Sequence, residues 1–134
     1  MTGVILDSDV LIELLRGRNP AISSRFETLL SLGDGFPICY SAVSVSEIRH
    51  GQRENEVESV ESLFSLMKCL PVQCGIADEA GIILRRFRKS HAIGLGDALI
   101  AATALHHGVV LWTRNRKHYP DSRLAFFDDL KTPA

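Results

Sequence analysis

The stretch Val4-Ile-Leu-Asp-Ser-Asp-Val-Leu-Ile-Glu-Leu-Leu15 decides the fold. Three aliphatic residues, two of them β-branched, run into an acid. The chain then turns to apolar residues at helical spacing until Gly17 stops it. A short apolar strand that ends on a carboxylate and passes at once into a helix is the opening unit of an α/β protein. In that class sites form beyond the carboxyl ends of parallel strands. Asp7 sits at such an end.

The flanking sequence repeats the alternation. Pro20 starts a second helix through Leu32, with Ile22, Phe26, Leu29 and Leu30 at helical spacing, and Gly33-Asp-Gly35 breaks it. Phe36 to Tyr40 reads as a strand, Ser41 to Gly51 as a short helix carrying Glu47, and Val57 to Met67 as a helix with an acidic outer face. Leu70 to Val72 reads as an edge strand, where Pro71 is tolerated. Ala77 to Lys89 places Ala80, Ile83, Leu84 and Phe87 on one helical face. The most apolar helix opens at Asp97 and closes at His106-His107-Gly108, with cations and glycine where a helix end favours them. Val109 to Thr113 suits a parallel strand buried on both faces, and Leu124 to Phe127 gives a last strand. The pattern predicts one domain over residues 1–134, a three-layer α/β/α sandwich with a central parallel sheet.

Composition narrows the function. Fifteen Lys and Arg against sixteen Asp and Glu leave a net charge of −1, so no long-range field draws nucleic acid to the surface as a whole. Local basic patches must hold any such partner. The apolar runs stop short of the roughly 20 residues that span a bilayer, and no basic leader precedes the first of them, so the expectation is a cytoplasmic protein without a membrane partner. Cys39, Cys69 and Cys74 are odd in number and lack Cys-x-x-Cys spacing, which reads as reduced thiols.

Three acids, Asp7, Glu47 and Asp97, stand where apolar runs meet polar boundaries. Brought together they cannot all remain ionised and unpaired, so a proton or a divalent cation must offset the repulsion, and the cation is the reading adopted. Each acid alone also fits an ordinary role: Asp7 as a helix N-cap, Glu47 in a Ser44-x-x-Glu47 capping box, Asp97 in the first turn of a helix. Thr113 and Asn115 supply a hydroxyl and an amide just past a buried strand, able to orient carboxylates without adding charge. Arg114, Arg116 and Lys117 form a basic cluster beside them, and Arg49 follows Glu47 closely; all four are candidate phosphate contacts. Arg85, Arg86 and Arg88 offer a second basic group.

The segments Leu6-Asp-Ser-Asp-Val-Leu-Ile12, Ser41-Ala-Val-Ser-Val-Ser-Glu-Ile48, Gly96-Asp-Ala-Leu-Ile-Ala-Ala102 and Leu111-Trp-Thr-Arg-Asn115 together resemble the PIN-domain proteins, and among them the VapC-type toxins of toxin–antitoxin pairs. No single segment is specific, but the ordered set is. The resemblance implies an endoribonuclease dependent on Mg²⁺ or Mn²⁺. Asp7, Glu47 and Asp97 would be its metal-holding catalytic acids, with Thr113, Asn115 and Asp9 in support. It also implies a cognate antitoxin, an RNA substrate and a homodimer. The family often has a fourth acid three residues after the asparagine, and here that position is His118. Asp9 and Asp121 are the acids available to compensate. An antitoxin helix is expected on the first helices, around Leu14, Leu15 and Phe26.

Other readings compete. A housekeeping RNA-processing nuclease and a non-catalytic RNA-binding PIN fold share the same scaffold. Asp7-x-Asp9 after a strand also resembles the first motif of the haloacid-dehalogenase phosphotransferases, although the residue at Leu11 and the missing downstream lysine depart from that family.

Overall fold

The computed structural model describes residues 2–129. Residue 1 and residues 130–134, the two ends of the expected 1–134 unit, lie outside the described residues. Four strands, β1 (Val4–Leu6), β2 (Ile38–Ser41), β3 (Lys68–Leu70) and β4 (Val110–Trp112), form one sheet in the order β3-β2-β1-β4, and every pairing is parallel. Six helices surround it: α1 (Ser8–Arg16), α2 (Pro20–Ser31), α3 (Ala42–Gly51), α4 (Val57–Ser65), α5 (Cys74–His91) and α6 (Leu95–His107).

The strands are apolar on both faces, which is why they sit inside. Ile5, Cys39 and Leu111 pack under α5 and α6 with Ile76, Ile83, Ala98 and Ile100. Val4, Leu6, Ile38, Tyr40, Val110 and Trp112 pack under α1 to α4 with Val10, Leu11, Phe26, Ile48 and Val60. Two cores on opposite sides of one sheet make the three-layer α/β/α arrangement. Helix ends follow local chemistry. Asn19 Oδ1 accepts from the Ile22 amide at 3.2 Å with Pro20 opening α2, and the backbone at Gly17 and Gly108 turns left-handed, at φ 64° and 62°, to close α1 and α6.

Two local expectations change. Leu124 to Phe127 does not form a strand; Phe126 makes one isolated parallel bridge to Leu111, and a 3₁₀ turn begins at Phe127. The edge strand lies at Lys68–Leu70 and stops before Pro71, which has no N–H to extend the ladder. No described helix is long and apolar enough to cross a membrane.

The chain runs from β1 outward through β2 to β3, then returns to β4 on the other side of β1. The strand order therefore reverses between β1 and β4, and a crevice opens at their carboxyl ends. Asp7 follows β1 and Thr113 follows β4.

Candidate metal centre

Asp7 is both cap and site residue. Its backbone is extended, Oδ1 accepts from the Ser8 amide at 2.7 Å, and Oδ2 accepts from the Thr113 hydroxyl at 2.8 Å. Thr113 Oγ1 in turn accepts from the Asn115 amide at 3.0 Å, so a three-residue relay fixes the carboxylate. Burial raises the pKa of Asp7 above the usual carboxylate range; the Thr113 and Tyr119 hydroxyls and the Ser8 amide pull it back, and Asp97 pushes it up further.

Glu47 comes from the middle of α3. The residue that caps α3 is Ser41, whose Oγ accepts from the Val43 amide at 3.1 Å, while Ser44 is already helical. Glu47 is thus released from the capping-box role and points at the site. The Ser8 hydroxyl lies 2.8 Å from both Glu47 Oε1 and Ser44 Oγ. With one proton to give, Ser8 donates to the carboxylate and receives from Ser44. Burial raises the Glu47 pKa, with further contributions from Asp7 and Asp97 that place all three carboxylates in one electrostatic cluster. A β-carbon on Gly96 would stand 3.8 Å from either Glu47 oxygen, so the start of α6 abuts this carboxylate.

Asp97 keeps its first-turn role, accepting from the Gly94 amide at 3.1 Å through Oδ2. His118 Nδ1 stands 3.6 Å from the same oxygen and 3.0 Å from Asn115 Nδ2. His118 therefore borders the acids, and Asn115 reaches them through it and through Thr113. Asp9 joins from the first turn of α1: Oδ2 accepts from the Arg114 amide at 3.1 Å, and burial followed by the Asp7 charge pushes its pKa up to about 6. Asp121 does not contribute, because both its oxygens are held by Arg123, which keeps its pKa low.

Sequence reasoning missed two members, Ser8 and Tyr119. Ser8 had a signal, a small hydroxyl beside an acid at a strand end. Tyr119 is 3% exposed, its hydroxyl lies against Asp7 without closing a regular hydrogen bond, and Asp97 and Asp9 also face it.

Among the described residues no three His, Cys, Asp or Glu side chains stand in an arrangement that could hold a metal ion. The donor set nevertheless fits a hard divalent ion. It is oxygen-only apart from His118, its carboxylates gather around the buried Asp7, and Asp9 Oδ1 and the Tyr119 hydroxyl are the buried polar atoms left without partners among the described residues.

The expected basic residues divide. Arg114 pairs with Glu13 at 3.0 Å, and Arg49 bonds Gln52 at 2.9 Å. The Arg116 guanidinium lies 4.1 Å from the centre of the Phe126 ring. Lys117 is exposed. His106 and His107 end α6, some ten residues from Asp97 and so about 15 Å away along the helix. They form no acid–base pair at the site.

The chain belongs to the PIN-domain family, whose model matches residues 4–120. Nearly its whole length is similar to Ribonuclease VapC10 of Mycobacterium tuberculosis, 40% identical over 131 residues that cover 97% of this chain and 92% of that protein. Among solved structures it resembles a chain of VapBC-1 from nontypeable Haemophilus influenzae, with a TM-score of 0.75 and 25% identity over 92% of this chain and 95% of that one. It also resembles a chain of the DNA-bound VapBC of Salmonella typhimurium, with a TM-score of 0.79 and 23% identity over 94% and 97%. The phosphotransferase reading of Asp7-x-Asp9 falls with this membership.

Proposed function

We propose that this chain is a divalent-metal-dependent endoribonuclease serving as the toxin of a type II toxin–antitoxin pair. The observation that carries the nuclease reading is the electrostatic cluster of Asp7, Glu47 and Asp97 at the β1/β4 crevice, joined to 40% identity with a protein named as a ribonuclease.

Asp7, Glu47 and Asp97 would hold Mg²⁺ or Mn²⁺, with Asp9 close by as a further oxygen donor. When bound, the ion supplies positive charge for the scissile phosphate and lowers the pKa of the attacking water. Thr113 and Ser8 hold Asp7 and Glu47 in single orientations, so the site is set before the ion arrives. His118 borders Asp97, and Asn115 contacts His118. No side-chain nucleophile is needed, and in-line attack by water leaves a 5′-phosphate and a 3′-hydroxyl.

The partner is a small cognate antitoxin, as in the VapBC assemblies that the structural relatives represent. A basic side chain reaching Asp7, Glu47 and Asp97 would take over the neutralising role of the ion without its chemistry. The docking face shifts from the sequence expectation, because Phe26 is 6% exposed and belongs to the core. Ile12 and Leu15 line a small apolar cleft beside Glu47, floored by the core residue Ile48, which suits the apolar side of an antitoxin helix. The activity belongs in the cytoplasm, where RNA and antitoxin are made. Expression of the chain alone should arrest growth, and co-expression with the small gene beside it should relieve the arrest and give a co-purifying complex. A harmless lone protein with intact acids would overturn the toxin role.

A further inference from the structure

Between Glu79 and Asp97 the sequence contains no acid, yet it carries Arg85, Arg86, Arg88 and Lys89 in a chain whose net charge is −1. All four are exposed on α5, and among the described residues none makes an ion pair with a carboxylate at salt-bridge distance. The positions three and four residues before each hold no acid, so the helix itself offers no partner. Arg88 and Lys89 fall in the last turn, where the helix dipole favours cations, but Arg85 and Arg86 lie upstream of it. Arg86 lies over the Phe87 ring at 4.9 Å, and Arg85, Arg88 and Lys89 stand beside it without a carboxylate partner among the described residues, a concentration of positive charge that calls for an anionic ligand with several charges.

Their position names the ligand. Only Ala92 to Gly94 separate α5 from α6, and the Gly94 amide already bonds Asp97, so the basic end of α5 meets the candidate metal centre. The charge of Arg86 reaches Asp121, in the loop that follows the 3₁₀ turn Arg116–His118, as a small contribution beside that of Arg123. Leu95, 60% exposed, opens α6 two residues before Asp97, where an unstacked base can cover it.

We infer that Arg85, Arg86, Arg88 and Lys89 form a phosphate track for single-stranded RNA that leads the strand to Asp97. The inference rests on the nuclease reading, which makes RNA the polyanion, and it adds a binding surface outside the acids.

The test compares Arg85→Gln/Arg88→Gln/Lys89→Gln with a charge-matched control, Arg18→Gln/Arg53→Gln/Lys68→Gln, whose three positions lie off the track. Binding of a single-stranded homopolymer RNA is titrated by fluorescence anisotropy over a range of KCl concentrations in EDTA, with circular dichroism confirming that both variants fold. Each lost phosphate contact lowers the log–log salt slope by about 0.7, so the α5 variant should lose about 2 while the control keeps the slope of the unaltered protein. Equal loss in both variants, or in neither, overturns the track. Cleavage by the unaltered protein in Mn²⁺ is scored separately. Cleavage with an unchanged α5 slope removes the track and leaves the nuclease, whereas α5-dependent binding without cleavage keeps the track and removes the nuclease.

Discussion

The Thr113 hydroxyl donates to Asp7 Oδ2 at 2.8 Å across 106 positions of sequence, and this bond ties the carboxyl end of β4 to that of β1 at the point where the strand order reverses. It sets the orientation of the most buried acid of the cluster, and it does so without charge. Thr113→Val keeps the shape and removes the donor. The variant should lose about 2 kcal/mol of stability, as expected for a hydrogen bond to a charged acceptor. Cleavage should fall about tenfold or more, as for a group that orients a metal ligand. Urea denaturation and a cleavage time course check the two effects. Wild-type activity in Thr113→Val would mean that Asp7 is held in place without this bond.

Asp7→Asn, Glu47→Gln and Asp97→Asn should each nearly abolish cleavage with the fold intact, and pairs of them should do little more than single changes, since residues acting as a unit fail together. Circular dichroism and product analysis on gels read both. Each change also removes a repelling charge, so the melting temperature of the metal-free protein should rise for the most coupled of them, Asp7→Asn.

Stability should depend on pH in a direction unusual for carboxylates. The folded pKa values of Asp7, Asp9 and Glu47 are raised, Asp9 to about 6 from 3.8. Between the unfolded and folded values the native state binds more protons than the unfolded chain, so stability falls as pH rises through roughly 4 to 6. Asp9 contributes to this loss through its burial and the neighbouring Asp7 charge. The metal-free protein should therefore melt higher at pH 5 than at pH 7.5, and Mg²⁺ should erase much of the difference at the higher pH by binding the ionised site. Scanning calorimetry with and without Mg²⁺ measures it; a melting temperature that rises with pH in EDTA would contradict the electrostatic account of the cluster.

His118 faces Asp97 Oδ2 at 3.6 Å. His118→Asp places an oxygen where an imidazole stands, so Mg²⁺ should bind more tightly and half-maximal cleavage should need less metal. Calorimetric titration of both proteins decides this, and an unchanged metal dependence would put His118 outside the ion's reach.

Tyr119 tests the orphaned hydroxyl. Removing an unsatisfied buried donor while keeping the ring should stabilise the metal-free protein, so Tyr119→Phe should gain about 1 kcal/mol. A loss instead would show that the phenol is bonded to Asp7 in solution.

Much of this architecture could be read in advance because local chemistry and tertiary packing agree along most of the chain. Gly17 and Gly108 close α1 and α6 where their turns require left-handed backbone, and the apolar run at Val110–Trp112 is buried on both faces. The three acids were legible because each ends an apolar run. What escaped depended on partners distant in sequence. Ser44-x-x-Glu47 looked like a capping box, but the strand ends at Ser41 and passes the cap to that residue. Leu124 to Phe127 has strand-like residues, yet only Phe126 meets Leu111 before the chain turns. Phe26 shares its helical stripe with residues that could equally face a partner, and only the packing against the sheet shows it to be core. Ser8 and Tyr119 acquire their roles from contacts that no spacing encodes.

The central claim is metal-dependent hydrolysis of RNA at Asp7, Glu47 and Asp97. It is tested most directly by incubating the purified chain with RNA in Mg²⁺ or Mn²⁺, then in EDTA, and reading the ends of the fragments. Cleavage that needs the ion, stops in EDTA and leaves 5′-phosphates and 3′-hydroxyls is the predicted result. Cleavage that persists in EDTA, or that leaves 2′,3′-cyclic phosphates, would contradict it.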